Sequence, residues 1–113
     1  MISFKPGVRL ININPHVAII IAVVGSVYQK CGYDCVVTSV TDGAHRRDSK
    51  HYDGMAVDFR LNDLSGIPAA SRRMVARLAR AALAEGFDVL HEFEGTPSEH
   101  LHVEYDPKEN PAS

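Results

Sequence analysis

Cysteine is scarce. Cys31 and Cys35 are the only two, too few for a disulfide framework or for a zinc site built on thiolates. They read as free, partly buried thiols; a bridge across Gly32-Tyr33-Asp34 would need an oxidising compartment. A basic excess is also missing. Twelve Lys and Arg face 14 Asp and Glu, a net charge of −2, which argues against a general nucleic-acid binder. Long apolar runs are absent too. Val17 to Val24 is too short to cross a bilayer, which takes about 20 residues, so no membrane insertion is expected. Asn14-Pro15 before it reads as a helix N-cap with Pro at the first helical position, rather than as a signal-peptide flank. There is no low-complexity tract and no repeat.

The 113 residues, 45% of them apolar, suffice for one core and one domain. That domain is expected over residues 1–106, with 107–113 as a flexible tail holding two prolines and no large apolar side chain. A lead-in with Phe4, Val8, Leu10 and Ile13 is followed by a helix from Pro15 to Cys31, stopped by Gly32. His16, in its first turn, has a helix-terminus or surface role. Residues 34–40 are short and β-branched, a strand. A polar loop from Thr41 to Lys50 carries His45, Arg46 and Arg47. Met55 to Arg60 is the next strand: Met55, Val57 and Phe59 point to a core, Ala56, Asp58 and Arg60 to a cleft. Residues 62–67 form a loop. A helix follows from Pro68 to Glu85, with Val75, Leu78, Ala79 and Ala82 as its buried stripe and Arg73, Arg77 and Arg80 solvated. Phe87 to Phe93 and His100 to Tyr105 are strands. In the last, Leu101, Val103 and Tyr105 face the core, and His100, His102 and Glu104 the cleft. The expected architecture is α+β: a small, mainly antiparallel sheet with helices on one face and a cleft on the other.

Two polar clusters organise the chemistry. Ser49-Lys50-His51-Tyr52-Asp53-Gly54-Met55-Ala56-Val57-Asp58 places a histidine and an aspartate seven positions apart. Glu99-His100-Leu101-His102 lies far downstream. A catalytic zinc takes three protein ligands and leaves a fourth position for water. His51, Asp58 and His102 can supply those ligands, and Glu99 can accept the water's proton. His100 lines the cleft beside His102 or serves as an alternate ligand. Glu104 is a partner to an arginine or a ligand imidazole, and the runner-up base. His91 reads as structural and Asp53 as a turn carboxylate.

The pattern Ser49-x-His51-x-x-Gly54-x-Ala56-x-Asp58 resembles the signature of the zinc D-alanyl-D-alanine carboxypeptidases, D-Ala-D-Ala dipeptidases and L-alanyl-D-glutamate endopeptidases, which share a fold with the Hedgehog signalling domain. All five fixed positions are met in order; a chance match is about one in ten thousand or rarer at average residue usage. The family's second motif, an acid three places before a histidine, is met by Glu99 and His102. The resemblance covers residues 34–106. It implies one zinc ion held by His51, Asp58 and His102, Glu99 as base, and Ser49 orienting the site. The family's arginine after the first strand is replaced by Ser39-Val40-Thr41-Asp42, leaving His45, Arg46 and Arg47 as nearby substitutes.

The resemblance implies a monomeric zinc metallopeptidase cutting peptidoglycan stem peptides, similar to an endolysin. It would be synthesised in the cytoplasm without a signal peptide and act at the bacterial cell wall, released by a separate pore protein or exported. The rival expectation is a catalytically inactive zinc module of the same fold used for binding or assembly. An amidase cutting the sugar–peptide link is a third.

Overall fold

The structure is a computed structural model that describes residues 1–8, 10, 14–41 and 55–106. Its elements are β1 (Ile2–Phe4), α1 (Pro15–Lys30), β2 (Cys35–Thr41), β3 (Ala56–Arg60), a short 3-10 helix (Asp63–Ser65), α2 (Ala69–Ala82), β4 (Phe87–Glu92) and β5 (His100–Tyr105). The five strands form one sheet in the order β1-β2-β3-β5-β4. It is mixed: β1 runs parallel to β2, and the other pairs are antiparallel. The lead-in thus contributes an edge strand whose direction no local pattern announces. Among the described residues, no helix is long and apolar enough to cross a membrane.

Helix α1 starts and stops where its residues dictate. The Asn14 side chain accepts a hydrogen bond from the His16 N–H at 2.8 Å, and Pro15 follows. At the other end Gly32 takes φ +86°, a left-handed conformation cheap only without a Cβ. The Gly32 and Tyr33 N–H groups then satisfy the carbonyls of Gln29 and Tyr28. The His16 ring stacks on Tyr105 with centroids 3.7 Å apart, pinning the helix start to the end of β5.

Both helices cover one face of the sheet. The core between them holds Val17, Ile20, Val24 and Tyr28 of α1, Val37, Val57, Phe59, Leu101 and Val103 of the sheet, and Val75 and Ala79 of α2. The Tyr28 hydroxyl donates to the Arg60 carbonyl at 3.0 Å, so this buried polar tip is satisfied. Burial raises the Tyr28 pKa and pushes the Cys35 thiol up to about 12. Both cysteines are free, Cys35 buried and Cys31 half-buried.

Two sequence expectations need correction. The buried stripe of α2 is Arg72, Val75, Ala76 and Ala79, while Leu78 is 42% exposed and Ala82 is exposed as well. The helix is rotated so that an arginine, not a leucine, enters the interior, because Arg72 has a carboxylate to meet there. Ala56 is also buried rather than open to the cleft.

Replacing Leu101, fully buried, by Ala should cost about 2–5 kcal/mol through lost burial and the cavity left. Leu78→Ser should stay within about 0.5 kcal/mol, as exposed sites do. Chemical denaturation of both variants checks the assignment; equal losses would mean that Leu78 is buried.

Candidate functional site

The open face of the sheet carries the polar side chains. In the antiparallel register Asp58 of β3 sits opposite His102 of β5, Arg60 opposite His100, and Glu92 of β4 opposite His100. Strand alternation keeps these on the side away from the helices. Thr38 of β2 steadies the backbone here, its hydroxyl donating to the Asp58 carbonyl at 3.3 Å.

Asp58, His100 and His102 converge: one ligand atom from each lies within 4.8 Å of the other two. His102 is held between two carboxylates, Nδ1 2.7 Å from Asp58 Oδ1 and Nε2 2.8 Å from Glu104 Oε1. His100 donates Nδ1–H to the Ser98 carbonyl at 2.7 Å, a group that can only accept. Its Nε2 then faces Glu92 Oε1 at 2.9 Å and Asp58 Oδ1 at 3.9 Å.

These contacts carry a chemical requirement. A neutral imidazole has one N–H, so a ring flanked by acceptors on both nitrogens turns one lone pair toward an anion. A cation must stand between them, either a second proton or a metal. Without metal, His102 takes the proton: the hydrogen bond to Asp58, aided by that to Glu104, outweighs burial and raises its pKa from 6.5 to about 9. With metal, the two nitrogens have separate tasks. Glu104 can accept Nε2–H while Nδ1 coordinates beside Asp58, the outer carboxylate arrangement that fixes a ligand tautomer. For His100 the Ser98 carbonyl plays the part of Glu104. The donor set therefore fits a dication that accepts imidazole and carboxylate.

Of the sequence-expected residues, Asp58, His102 and His100 are brought together. Ser49, His51, His45, Arg46 and Arg47 lie outside the described residues, as does Asp53. Glu99 has a different setting. It precedes β5, is 2% exposed, and has both oxygens engaged. Oε1 accepts from Arg72 Nη1 at 2.7 Å and from the Gly95 N–H at 3.3 Å, and Oε2 meets His91 Nε2 at 2.6 Å. Burial opposes its charge, but the bonds from His91, Gly95 and Arg72 outweigh it and hold the carboxyl below its ordinary pKa. Arg72 also reaches the Ile67 carbonyl at 2.9 Å and Asp63 at 3.3 Å, so this pair ties the loop before α2 to the start of β5.

Two residues escaped the sequence reading. Arg72 had a legible signal: positions 72, 75, 76 and 79 follow the spacing of a buried helical face, with one arginine in it. Glu92 had only strand parity, which places it with Leu90 rather than with Val89 and His91.

Two predictions follow from this geometry. In the metal-free protein, the Asp58–His102 pair contributes stability that is full below pH 6.5, where His102 is charged in both states, and is lost as pH rises through about 9. Melting midpoints in chelator should therefore fall across that window in the wild type and fall less in Asp58→Asn; parallel profiles would refute the pairing. Zinc affinity should rise over the same window, because the metal displaces that proton. Separately, Glu99→Ala should cost about 3–5 kcal/mol by stranding the Arg72 charge in the interior, and Glu99→Gln clearly less, since an amide still accepts from Arg72. Denaturant unfolding reads both. Set beside known proteins, the chain matches no protein-family model and no curated protein.

Proposed function

We propose that this protein is a zinc metallopeptidase acting on peptidoglycan stem peptides, with the Hedgehog-like peptidase fold and an endolysin-like role at the bacterial cell wall. The observation that carries the reading is the meeting of Asp58 and His102 at 2.7 Å, with His100 inside the same 4.8 Å group. The spacing of Ser49, His51, Gly54, Ala56 and Asp58 supports it independently.

In this proposal Asp58 and His102 Nδ1 hold the zinc, with His51 as third ligand, and His100 Nε2 as the alternative among the described residues. A bound zinc would lower the pKa of a coordinated water toward 7 and polarise the peptide carbonyl. Glu104 keeps the proton on His102 Nε2, so that Nδ1 stays available. Glu99 is assigned the proton acceptor, held ionised by Arg72 at the edge of the cleft that Asp58 and His100 also line. Glu92 is the second reading for that role, favoured by its place on the open face 2.9 Å from His100. Whichever carboxylate takes the proton then returns it to the departing amine. The rival class, a zinc module that binds without cutting, keeps the ligands and has no use for either acid.

The test is digestion of purified peptidoglycan with zinc-loaded protein, fragments read by mass spectrometry. Glu99→Gln should lower turnover by about 100-fold or more with zinc retained, in line with loss of a positioned base. If Glu92→Gln instead carries that loss, Glu92 is the acceptor. Zinc-loaded wild type that releases no fragment would sink the peptidase reading. Fragments cut at the sugar–peptide link would make the enzyme an amidase.

A further inference from the structure

The open face is electrically lopsided. On the β4 side of His100 and His102 stand Glu92 and Glu104. On the other side a cleft of about 300 Å³ opens beside Asp58, and two cations line it: Lys5, just past β1, and Arg60, the last residue of β3. Thr38, Asn62, Leu64, Ser98, Glu99 and His100 complete its wall. Of the two carboxylates that line it, Glu99 is taken up by Arg72 and His91 and Asp58 by His102, and among the described residues neither cation forms an ion pair with a carboxylate. A surface arginine usually finds a partner or extends into water. Here two positive groups from separate segments share one concavity beside the Asp58, His100 and His102 cluster.

We propose that Arg60, assisted by Lys5, anchors a carboxylate of the peptide substrate. The proposal rests on the metallopeptidase reading and names its specificity element. Arg60 is two positions along β3 from Asp58 and on the same face, so the two backbones are about 7 Å apart there. A peptide advances about 3.5 Å per residue. A carboxylate seated on Arg60 therefore lies within one or two residues of a carbonyl held at Asp58 and His102. The guanidinium presents a planar fork that matches a carboxylate with two parallel bonds, and Lys5 adds a point charge. Two sources share this chemistry: the free C-terminus of the departing segment, or an acidic side chain next to the cleaved bond.

Zinc-loaded wild type, Arg60→Gln and Arg60→Lys are compared on three peptides: one ending in a free carboxylate near the bond, its C-terminal amide, and the amide carrying a glutamyl side chain at the adjacent position. Wild type should prefer one carboxylate peptide over the plain amide by about tenfold or more in KM, as a charged hydrogen bond allows, and that peptide names the source. Arg60→Gln should raise KM for it by the same factor with little change in kcat, leaving the plain amide unaffected; Arg60→Lys should recover part of the loss. A second readout needs no turnover: N-acetyl-D-alanine and its amide are titrated into each variant by NMR. The fold tolerates these changes, because what the core uses of Arg60 is its carbonyl, bound by Tyr28. Arg60→Gln matching wild type on every peptide and in the titration overturns the proposal, even if cleavage proceeds. Wild type that cuts nothing but binds the acid in an Arg60-dependent way removes the peptidase reading and leaves the carboxylate site standing.

Discussion

Two imidazoles set among carboxylates on the bare face of a sheet define this molecule. His102 lies between Asp58 and Glu104, and His100 lies against Glu92 with Asp58 just beyond. A neutral His102 ring cannot satisfy such surroundings, since it would aim a lone pair at a carboxylate. The cluster therefore demands positive charge. A proton on His102 meets it, and the three donors are also close enough together to suit a dication. The raised pKa of His102 and the fit of the donor set to a metal ion both derive from that requirement.

The fold supplies the conditions for it. Helices α1 and α2 bury the opposite face of the sheet, and β3 and β5 stay in register beneath the site. Backbone pairing, not flexible loops, sets the Asp58–His102 separation. That is the preorganisation a metal site needs, because its ligands pay no ordering cost when the ion arrives. The Arg72–Glu99–His91 network does related work at the edge. It joins the loop before α2 to the start of β5, and so fixes where His100 and His102 begin their strand. Glu99 thus has a structural task whatever its chemical one, and its amide variant separates the two more cleanly than truncation does.

Much of this was legible in the residues. Alternation in His100-Leu101-His102-Val103-Glu104 put both imidazoles and Glu104 on one face, and Asn14-Pro15 and Gly32 marked the ends of α1. The polar partners were less legible. Arg72 is inconspicuous in the sequence beside the row of Arg73, Arg77 and Arg80, and only the presence of a buried carboxylate decides which arginine turns inward. Hydrophobicity ranks Leu78 above Ala76 as a core residue, whereas the face that α2 buries is the one that carries Arg72 to Glu99.

The sequence by itself determined which polar side chains share the open strand faces, and the α+β class, because strand period and helix caps are local properties. Tertiary structure decided which residues meet: the parallel edge strand, the pairing of Asp58 with His102, the burial of Glu99 against Arg72, and the cleft shared by Lys5 and Arg60. Those depend on register and packing between segments far apart in the chain, and no local pattern encodes a distance.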